Sequence, residues 1–204
     1  LKTMNHSLRT LLFVMTPASV GLLVLAGPIV QMIYEWGRFD ATSTLLTTRA
    51  LQFYAPGLMV FCLAKVFVPA FYAIQDTKTP VKVGLICVGL NLALNIAFIF
   101  TWPLYWKHAG LAFATVLAEI FNGFVLAVYL HRRLGSPGWR HIAGSMFKAL
   151  WASAAMAVAV VFFHGFMEKA IAPLFIPKIA QVISVLSSIL VGGLVFSASA
   201  YILK

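Results

Sequence analysis

The sequence predicts an all-α membrane protein, built as a polytopic bundle of six transmembrane helices. Of its 204 residues, 62% are hydrophobic and only 10% are charged, and the mean hydropathy is +0.96. A water-soluble domain of this size does not bury so much apolar surface. Fifteen Lys and Arg stand against five Asp and Glu, a net charge of +10. Because the basic residues lie between apolar runs, they indicate membrane topology and anionic headgroups, and nucleic acid is not an expected partner.

Six apolar stretches are long enough to cross a bilayer, since about 20 residues at about 1.5 Å each span its hydrocarbon core. They are 9–26, 41–74, 80–100, 109–130, 142–166 and 179–203. Gly27 and Pro28 are expected to interrupt the first span, so that 29–34 continues at an angle. Cys62 and Cys87 fall inside spans and are expected to be packed thiols, not a disulfide.

The second span is too long for one straight crossing. Its first turns, through Arg49, are expected to stand outside the membrane. Pro56 and Pro69 each remove a backbone donor, so each should bend or locally unwind the helix.

A polar hairpin joins the second span to the third. Its polar residues and its proline are Gln75, Asp76, Lys78, Thr79, Pro80 and Lys82. Gln75 and Asp76 are expected to end one helix, and Thr79 to accept a hydrogen bond from a free N–H of the next. Pro80 would occupy the first helical position, where its missing donor costs nothing. The two lysines mark this side as cytoplasmic, because basic residues accumulate in short inner loops.

The distribution of basic residues then predicts the orientation of the whole bundle. The predicted inner face carries Lys2, Arg9, Lys78, Lys82, Arg132, Arg133, Arg140, Lys148 and Lys204. The predicted outer face carries Arg38, Arg49, Lys107, Lys169 and Lys178. This asymmetry favours both ends of the chain being cytoplasmic. An outer loop is expected to contain Glu168, Lys169, Pro173 and Pro177. Because the chain opens on Leu1 within polar sequence, it is expected to be the later part of a longer protein.

Lys65 and Glu119 are ionisable residues near the middle of apolar spans. An ionised side chain there costs on the order of 3 kcal/mol unless it faces water or a partner. For Lys65 a polar cavity is favoured over snorkelling, because the nearest helix end is about ten residues away. For Glu119 a cavity and a protonated acid bonded to a neighbouring helix remain equal alternatives. Arg49 could bind phosphate, but an interfacial anchor is the favoured interpretation.

Asn91 and Asn95 lie four residues apart, on one face of the third span. Their oxygens could coordinate a small cation, but a hydrogen bond to another helix is favoured. Small residues also recur in the last span, where Ser184, Ser188 and Gly192 follow one ridge. Close helix packing is the favoured interpretation, and a shallow apolar groove for an acyl or isoprenoid chain is the alternative.

Catalytic chemistry is not expected. The sequence has no Ser/His/acid set of plausible spacing, no glycine-rich phosphate loop and no Cys/His spacing that suits a metal. The histidines all lie near predicted helix ends, where an interfacial role is expected.

Four motifs in this order carry a family resemblance. They are EWGRFD at 35–40, RAL at 49–51, FYAIQDTKTPVK at 71–82 and HAGLA at 108–112. Together they resemble the C-terminal part of the MurJ (MviN) family, the lipid II flippases of the multidrug/oligosaccharidyl-lipid/polysaccharide exporter superfamily. The resemblance implies helices nine to fourteen of a two-lobed, fourteen-helix, alternating-access transporter. Residues 1–134 would supply four spans of the second lobe, and 135–204 a final pair that forms a groove for the undecaprenyl tail.

The resemblance also implies a function without bond breaking. Lipid II would move from the cytoplasmic to the periplasmic leaflet of the bacterial inner membrane, in contact with membrane lipids and the remainder of the transporter. Lys65 would be a secondary cavity cation, since the family's main headgroup arginines lie on helices that this chain does not contain. Some members bind sodium at positions matching Asn91, Asn95 and Thr115. They have Asp where this chain has Asn95, which argues against a sodium cofactor here.

Two other functions remain as alternatives. An ion-coupled exporter of drugs or other small solutes would use Glu119 and the two asparagines as its coupling site. A non-transporting membrane scaffold that recruits cell-wall enzymes would need none of the intramembrane polar groups.

Overall fold

The computed structural model describes residues 2–35, 39–135, 139–171 and 177–202. In that part of the chain there are eight α-helices and one short 3-10 helix, which confirms the predicted all-α fold. The α-helices are α1 Lys2–Val24, α2 Ala26–Tyr34, α3 Ala41–Tyr54, α4 Gly57–Ala73, α5 Lys78–Thr101, α6 Lys107–Leu134, α7 Trp139–Ile171 and α8 Pro177–Ile202, with the 3-10 helix at Leu104–Trp106. Expectations that rest on 36–38, 136–138, Pro173 and 203–204 lie outside the described residues.

Six crossings are consistent with the lengths and apolar character of these helices. α1, α5, α6, α7 and α8 are each long and apolar enough to cross a membrane alone. α3 and α4 qualify together as one broken span, bent by 45°. The chain is therefore a multi-pass membrane protein, as predicted. The expected outer loop begins later than predicted, because α7 continues through Glu168 and Lys169 to Ile171.

The first span is broken, but upstream of the predicted position. α1 ends at Val24 and α2 begins at Ala26, whereas the break was expected at Gly27 and Pro28. Pro28 is still the physical reason. It has no N–H for the carbonyl of Val24, four residues earlier, and its ring crowds that carbonyl. The helix therefore breaks one turn before the proline, which itself lies in the first turn of α2.

The second span is broken at one of its two prolines. Asp40 caps α3 by accepting a 2.8 Å hydrogen bond from the Ser43 N–H. α3 ends at Tyr54, and Pro56 precedes α4 at the 45° bend, as expected. Pro69, in contrast, lies inside α4, which stays helical on both sides of it. Of the two expected effects of Pro69, bending or local unwinding, local unwinding does not occur.

Two groups of helices pack on either side of α1. α6 packs against α3, α4 and α5, and the α7–α8 pair packs against α1 through α7. The predicted ridge on α8 is confirmed as a packing surface, since Ser184 and Ser188 are buried. A Cβ atom on Gly192 would lie only 2.8 Å from Val160 Cγ2 of α7. Only a glycine lets the two helices approach this closely at that point.

Candidate functional site

Lys65 lies in a cleft between α1 and α4. The cleft has a volume of about 560 Å³ and is lined mainly by apolar side chains, with Thr3 and Ser7 of α1 as polar exceptions. Lys65 is exposed, and no described carboxylate forms an ion pair with its ammonium. A single positive charge in apolar surroundings attracts anions more strongly than one in open water, because low-dielectric walls screen it less.

Pro69 adds a second polar feature to the same cleft. It lies one turn beyond Lys65 and lines the cleft wall. Since proline has no N–H, the carbonyl of Lys65 lacks its usual helical donor. The face of α4 that lines the cleft therefore carries both the Lys65 ammonium and a backbone carbonyl that lacks its helical hydrogen bond.

Glu119 lies elsewhere. It is half-buried on α6 and does not line the Lys65 cleft. Its Oε2 accepts a 3.2 Å hydrogen bond from the Asn122 side chain, one turn further along the same helix. The structure therefore does not bring the two predicted intramembrane ionisable residues into one cavity.

Asn91, Asn95 and Thr115 are brought together, between α5 and α6. Asn91 Nδ2 donates to Thr115 Oγ1 at 3.3 Å, and Asn95 Nδ2 donates to Asn91 Oδ1 at 3.0 Å. Thr115 Oγ1 in turn donates to the carbonyl of Leu111 at 3.1 Å. Asn95 Oδ1 is buried without a described partner. The chain of neutral groups joins α5 to α6, in agreement with the favoured packing interpretation, and supplies no carboxylate to balance the charge of a cation.

Arg49 lies in an aromatic cluster. Its guanidinium carbon is 4.5 Å from the centroid of the Trp106 ring, a cation–π geometry worth about 0.5–1 kcal/mol at an exposed site. Phe53, on the next turn of α3, packs edge-on against Trp102 and Trp106. Arg49 thus contacts the aromatic cluster of Phe53, Trp102 and Trp106 and does not line the Lys65 cleft.

The hairpin between α4 and α5 is fixed by Asp76, not by Thr79. α5 begins at Lys78, so Thr79 is its second residue and Pro80 its third, and the expected place of Pro80 at the first helical position was wrong. Asp76 accepts the Thr79 N–H at 3.0 Å through Oδ1 and the Thr79 hydroxyl at 2.7 Å through Oδ2. The expected role of Thr79 as the capping acceptor was therefore wrong, because the carboxylate one turn earlier is the stronger acceptor. These bonds lower the pKa of Asp76, and Arg133, whose Nη2 is 3.3 Å away, lowers it further.

The end of α4 in this hairpin has an unusual backbone. The Asp76 N–H donates to the Phe71 carbonyl at 3.0 Å and the Gln75 N–H to the Tyr72 carbonyl at 3.0 Å, the pattern of a Schellman motif. Gln75 occupies the left-handed position of that motif, with φ of 59°. Glycine is the usual residue there.

A second candidate site lies between α1, α7 and α8. An apolar groove of about 320 Å³ is lined by residues of all three helices, including Gly21, Met156, Val160 and Ile189. Gly193 also lines this groove, and nothing lies within 4 Å of where its Cβ would be. On α8, the ridge of Ser184, Ser188 and Gly192 is thus covered by packing, whereas the neighbouring ridge at Gly193 remains open.

A polar pocket of about 280 Å³ continues this groove toward the C-terminal end of α7 and the N-terminal end of α8. It contains His164, Glu168, Gln31 and Gln181. Met156, Val160, His164 and Glu168 follow at intervals of four, so the groove and the pocket share one face of α7. His164 Nδ1 is 3.0 Å from Ser184 Oγ and 3.3 Å from Ser188 Oγ.

Sequence reasoning missed this polar cluster. It assigned His164 an interfacial role, and it treated the two serines only as small packing residues. The available signal was a pair of i, i+4 spacings, His164 with Glu168 and Ser184 with Ser188, on two adjacent helices.

Comparisons with known proteins agree on one family. The family model described as "Lipid II flippase MurJ" matches residues 1–181. The probable lipid II flippase MurJ of Vibrio cholerae is 35% identical over 157 residues, which are 77% of this chain and 28% of that protein. The corresponding protein of Rickettsia prowazekii is 31% identical over 204 residues, 100% of this chain and 39% of that protein.

A solved structure agrees with both relatives. The structure titled "Lipid II flippase MurJ, inward closed conformation" superimposes with a TM-score of 0.71 and 27% identity, covering 96% of this chain and 38% of that one. The chain therefore spans well under half the length of the relatives it matches. From the extent of the family match and the agreement of these folds, the chain belongs to the MurJ family.

Proposed function

We propose that this chain forms the C-terminal part of a lipid II flippase of the bacterial inner membrane. In this proposal the complete transporter moves lipid II from the cytoplasmic to the periplasmic leaflet by alternating access, without breaking bonds. The observation that carries the proposal is the position of Lys65, exposed in a mainly apolar cleft between α1 and α4. Such a cation suits the diphosphate of a lipid-linked precursor, because phosphate oxygens accept charge-assisted hydrogen bonds from an ammonium.

The groove of α1, α7 and α8 would hold part of the isoprenoid tail. Its lining is almost wholly apolar, and the open ridge at Gly193 leaves one side accessible. Residues 1–134 would then belong to the second lobe of the transporter and contact the headgroup, while α7 and α8 would contact the tail. The Asn91, Asn95 and Thr115 cluster would hold α5 against α6, and we propose no sodium cofactor.

Complementation tests this proposal. Full-length protein that carries Lys65→Ala should fail to support growth of a flippase-depleted bacterium, or support it poorly, whereas Lys65→Arg should retain most activity. A charge-neutral control is Gln75→Ala, in the hairpin and outside the cleft. Full activity of the Lys65→Ala protein at normal abundance would remove Lys65 from the mechanism.

The competing function is an ion-coupled exporter with Glu119 as its coupling acid. Its predicted site joins Glu119 to Asn91 and Asn95. In the described part of the chain Glu119 instead bonds to Asn122 on its own helix, while the two asparagines bond to each other and to Thr115. A proton- or sodium-dependent efflux that is lost in Glu119→Gln would favour the exporter. Unchanged complementation by Glu119→Gln is expected for the flippase.

A further inference from the structure

A fourth cavity lies between α4 and α6, and it shares no lining residue with the Lys65 cleft, the apolar groove or the polar pocket. It has a volume of about 540 Å³, and its walls are almost entirely apolar. The exceptions are at one end, where the lining residues are His131 and Arg132 in the last turn of α6. The cavity therefore combines an apolar channel with a basic end.

The length and position of this cavity match one leaflet of a bilayer. Along α6 it extends from Ile120 to Arg132, about 18 Å at 1.5 Å per residue. Half of a hydrocarbon core of about 30 Å is about 15 Å. Ile120 is near the middle of α6, and Arg132 is at its C-terminal end, beside the hairpin that the lysines predict to be cytoplasmic. In the predicted orientation the channel would run from the membrane centre to the inner headgroup region.

Arg132, at the basic end of the cavity, is available to a ligand, whereas its neighbour Arg133 forms an ion pair. Arg133 is directed to Asp76, at 3.3 Å. Arg132 and His131 are exposed and line the cavity instead. No described acidic side chain lines the cavity, so nothing in its wall would repel an anion.

We propose that this cavity binds an anionic phospholipid of the inner leaflet, such as phosphatidylglycerol, with one acyl chain between α4 and α6 and its phosphate on Arg132 and His131. The charge of the cavity end selects an anionic head, because basic residues near the membrane surface attract anionic lipids. The length of the channel matches an ordinary acyl chain within one leaflet. The isoprenoid tail is assigned to the groove of α1, α7 and α8, so the lipid bound here would be distinct from the transported one.

The floor of the cavity shows how it can be closed without disturbing the helix contact. A Cβ on Gly123 would meet Leu63 and Val60 of α4 at ordinary contact distances of 3.6–3.8 Å, so α4 and α6 already touch there. Ala127, one turn further along α6, is half-buried and lines the open part of the channel. A phenylalanine at Ala127 would occupy the space of the acyl chain.

Photolabelling of the full-length protein in nanodiscs tests the proposal. The probes are phosphatidylglycerol and phosphatidylcholine that carry a diazirine on one acyl chain, and mass spectrometry locates the labels. Phosphatidylglycerol should label the peptides around Phe124 and Leu63. The double variant His131→Gln and Arg132→Gln should reduce this labelling by about fivefold or more, as expected for the loss of a basic residue at an anionic surface.

Two controls separate charge from volume. Lys82→Gln removes an exposed basic residue on α5, outside the cavity, and should leave the labelling unchanged. Ala127→Phe should abolish labelling, while Ile86→Phe, on the exposed face of α5, should not. If Ala127→Phe fails to fold, the charge variants still decide the question.

Three results would overturn the proposal. Equal labelling by the two lipids would show an unselective lipid contact. Absence of label in the wild-type cavity would show that the remainder of the transporter covers it. Stronger labelling by an isoprenoid diphosphate probe would assign the cavity to the substrate.

Discussion

Gly192 should be the most sensitive glycine of the α7–α8 contact. In Gly192→Ala the new Cβ would lie 2.8 Å from Val160 Cγ2, and 3.5 Å from Met156 Cγ. The side chain of valine is stiff at χ1, so its methyl group cannot move away cheaply. Overpacking of this kind costs about 1–3 kcal/mol.

The neighbouring glycine provides a matched control. Gly193→Ala places its Cβ where nothing lies within 4 Å. Both variants gain about 0.5–1 kcal/mol from the better helix propensity of alanine, so this gain cancels in their comparison. The free energies of unfolding should therefore differ by about 1–3 kcal/mol, with Gly192→Ala the less stable.

Equilibrium unfolding of the full-length protein in mixed detergent micelles measures this difference. Adding Val160→Ala to Gly192→Ala removes the clashing methyl group and should restore part of the stability, as in a double-mutant cycle. Equal stabilities of Gly192→Ala and Gly193→Ala would refute the assigned contact between α7 and α8.

Three further predictions concern the hairpin and the aromatic cluster that Arg49 contacts. Gln75→Gly should stabilise the protein by about 0.5–1 kcal/mol in the same unfolding assay, because it relieves a left-handed backbone; a loss of stability would contradict the Schellman geometry. The lowered pKa of Asp76 should give a contribution to stability that is complete above about pH 3.9, the ordinary value, and is lost as the pH falls through the lower folded pKa. The Asp76→Asn variant should lack this loss of stability at low pH. If its stability varies with pH as that of the wild type does, the assignment to Asp76 is wrong. Arg49→Gln should cost about 0.5–1 kcal/mol through loss of the contact with Trp106, and no cost in an unfolding titration would exclude that contact.

The fold was predictable because its determinants are local. Apolar runs of membrane length predict the spans regardless of what packs against them. The errors were positional and have physical causes. Pro28 acts on a carbonyl one turn earlier, so the break precedes the residue that causes it. Thr79 and Asp76 are both acceptable caps by residue type, and only the helix start at Lys78 decides between them.

The sites were only partly predictable because they depend on which helix faces meet. The i, i+4 spacing of Asn91 and Asn95 predicted a shared face, and the structure adds the partner Thr115 on α6. No spacing relates Lys65 to Glu119, so the sequence could not show that they line different surfaces. The His164 cluster required knowledge that α7 lies against α8 in the register that joins it to Ser184.

The position of α1 links the two parts of the proposed substrate path. Its residues Met4 and Leu11 line the Lys65 cleft, and its residue Ala18 lines the apolar groove. These three residues recur every seven positions, so they lie on nearly one helix face, which drifts by only about 20° per heptad. The cleft and the groove are therefore consecutive along α1, with the cation toward its N-terminal end. A movement of α1 relative to α4 would change the width of the cleft, and α1, which stays helical through Pro17, would carry that movement to the groove. In an alternating-access cycle, a headgroup at Lys65 and a tail beside α7 and α8 would thus be displaced by one element.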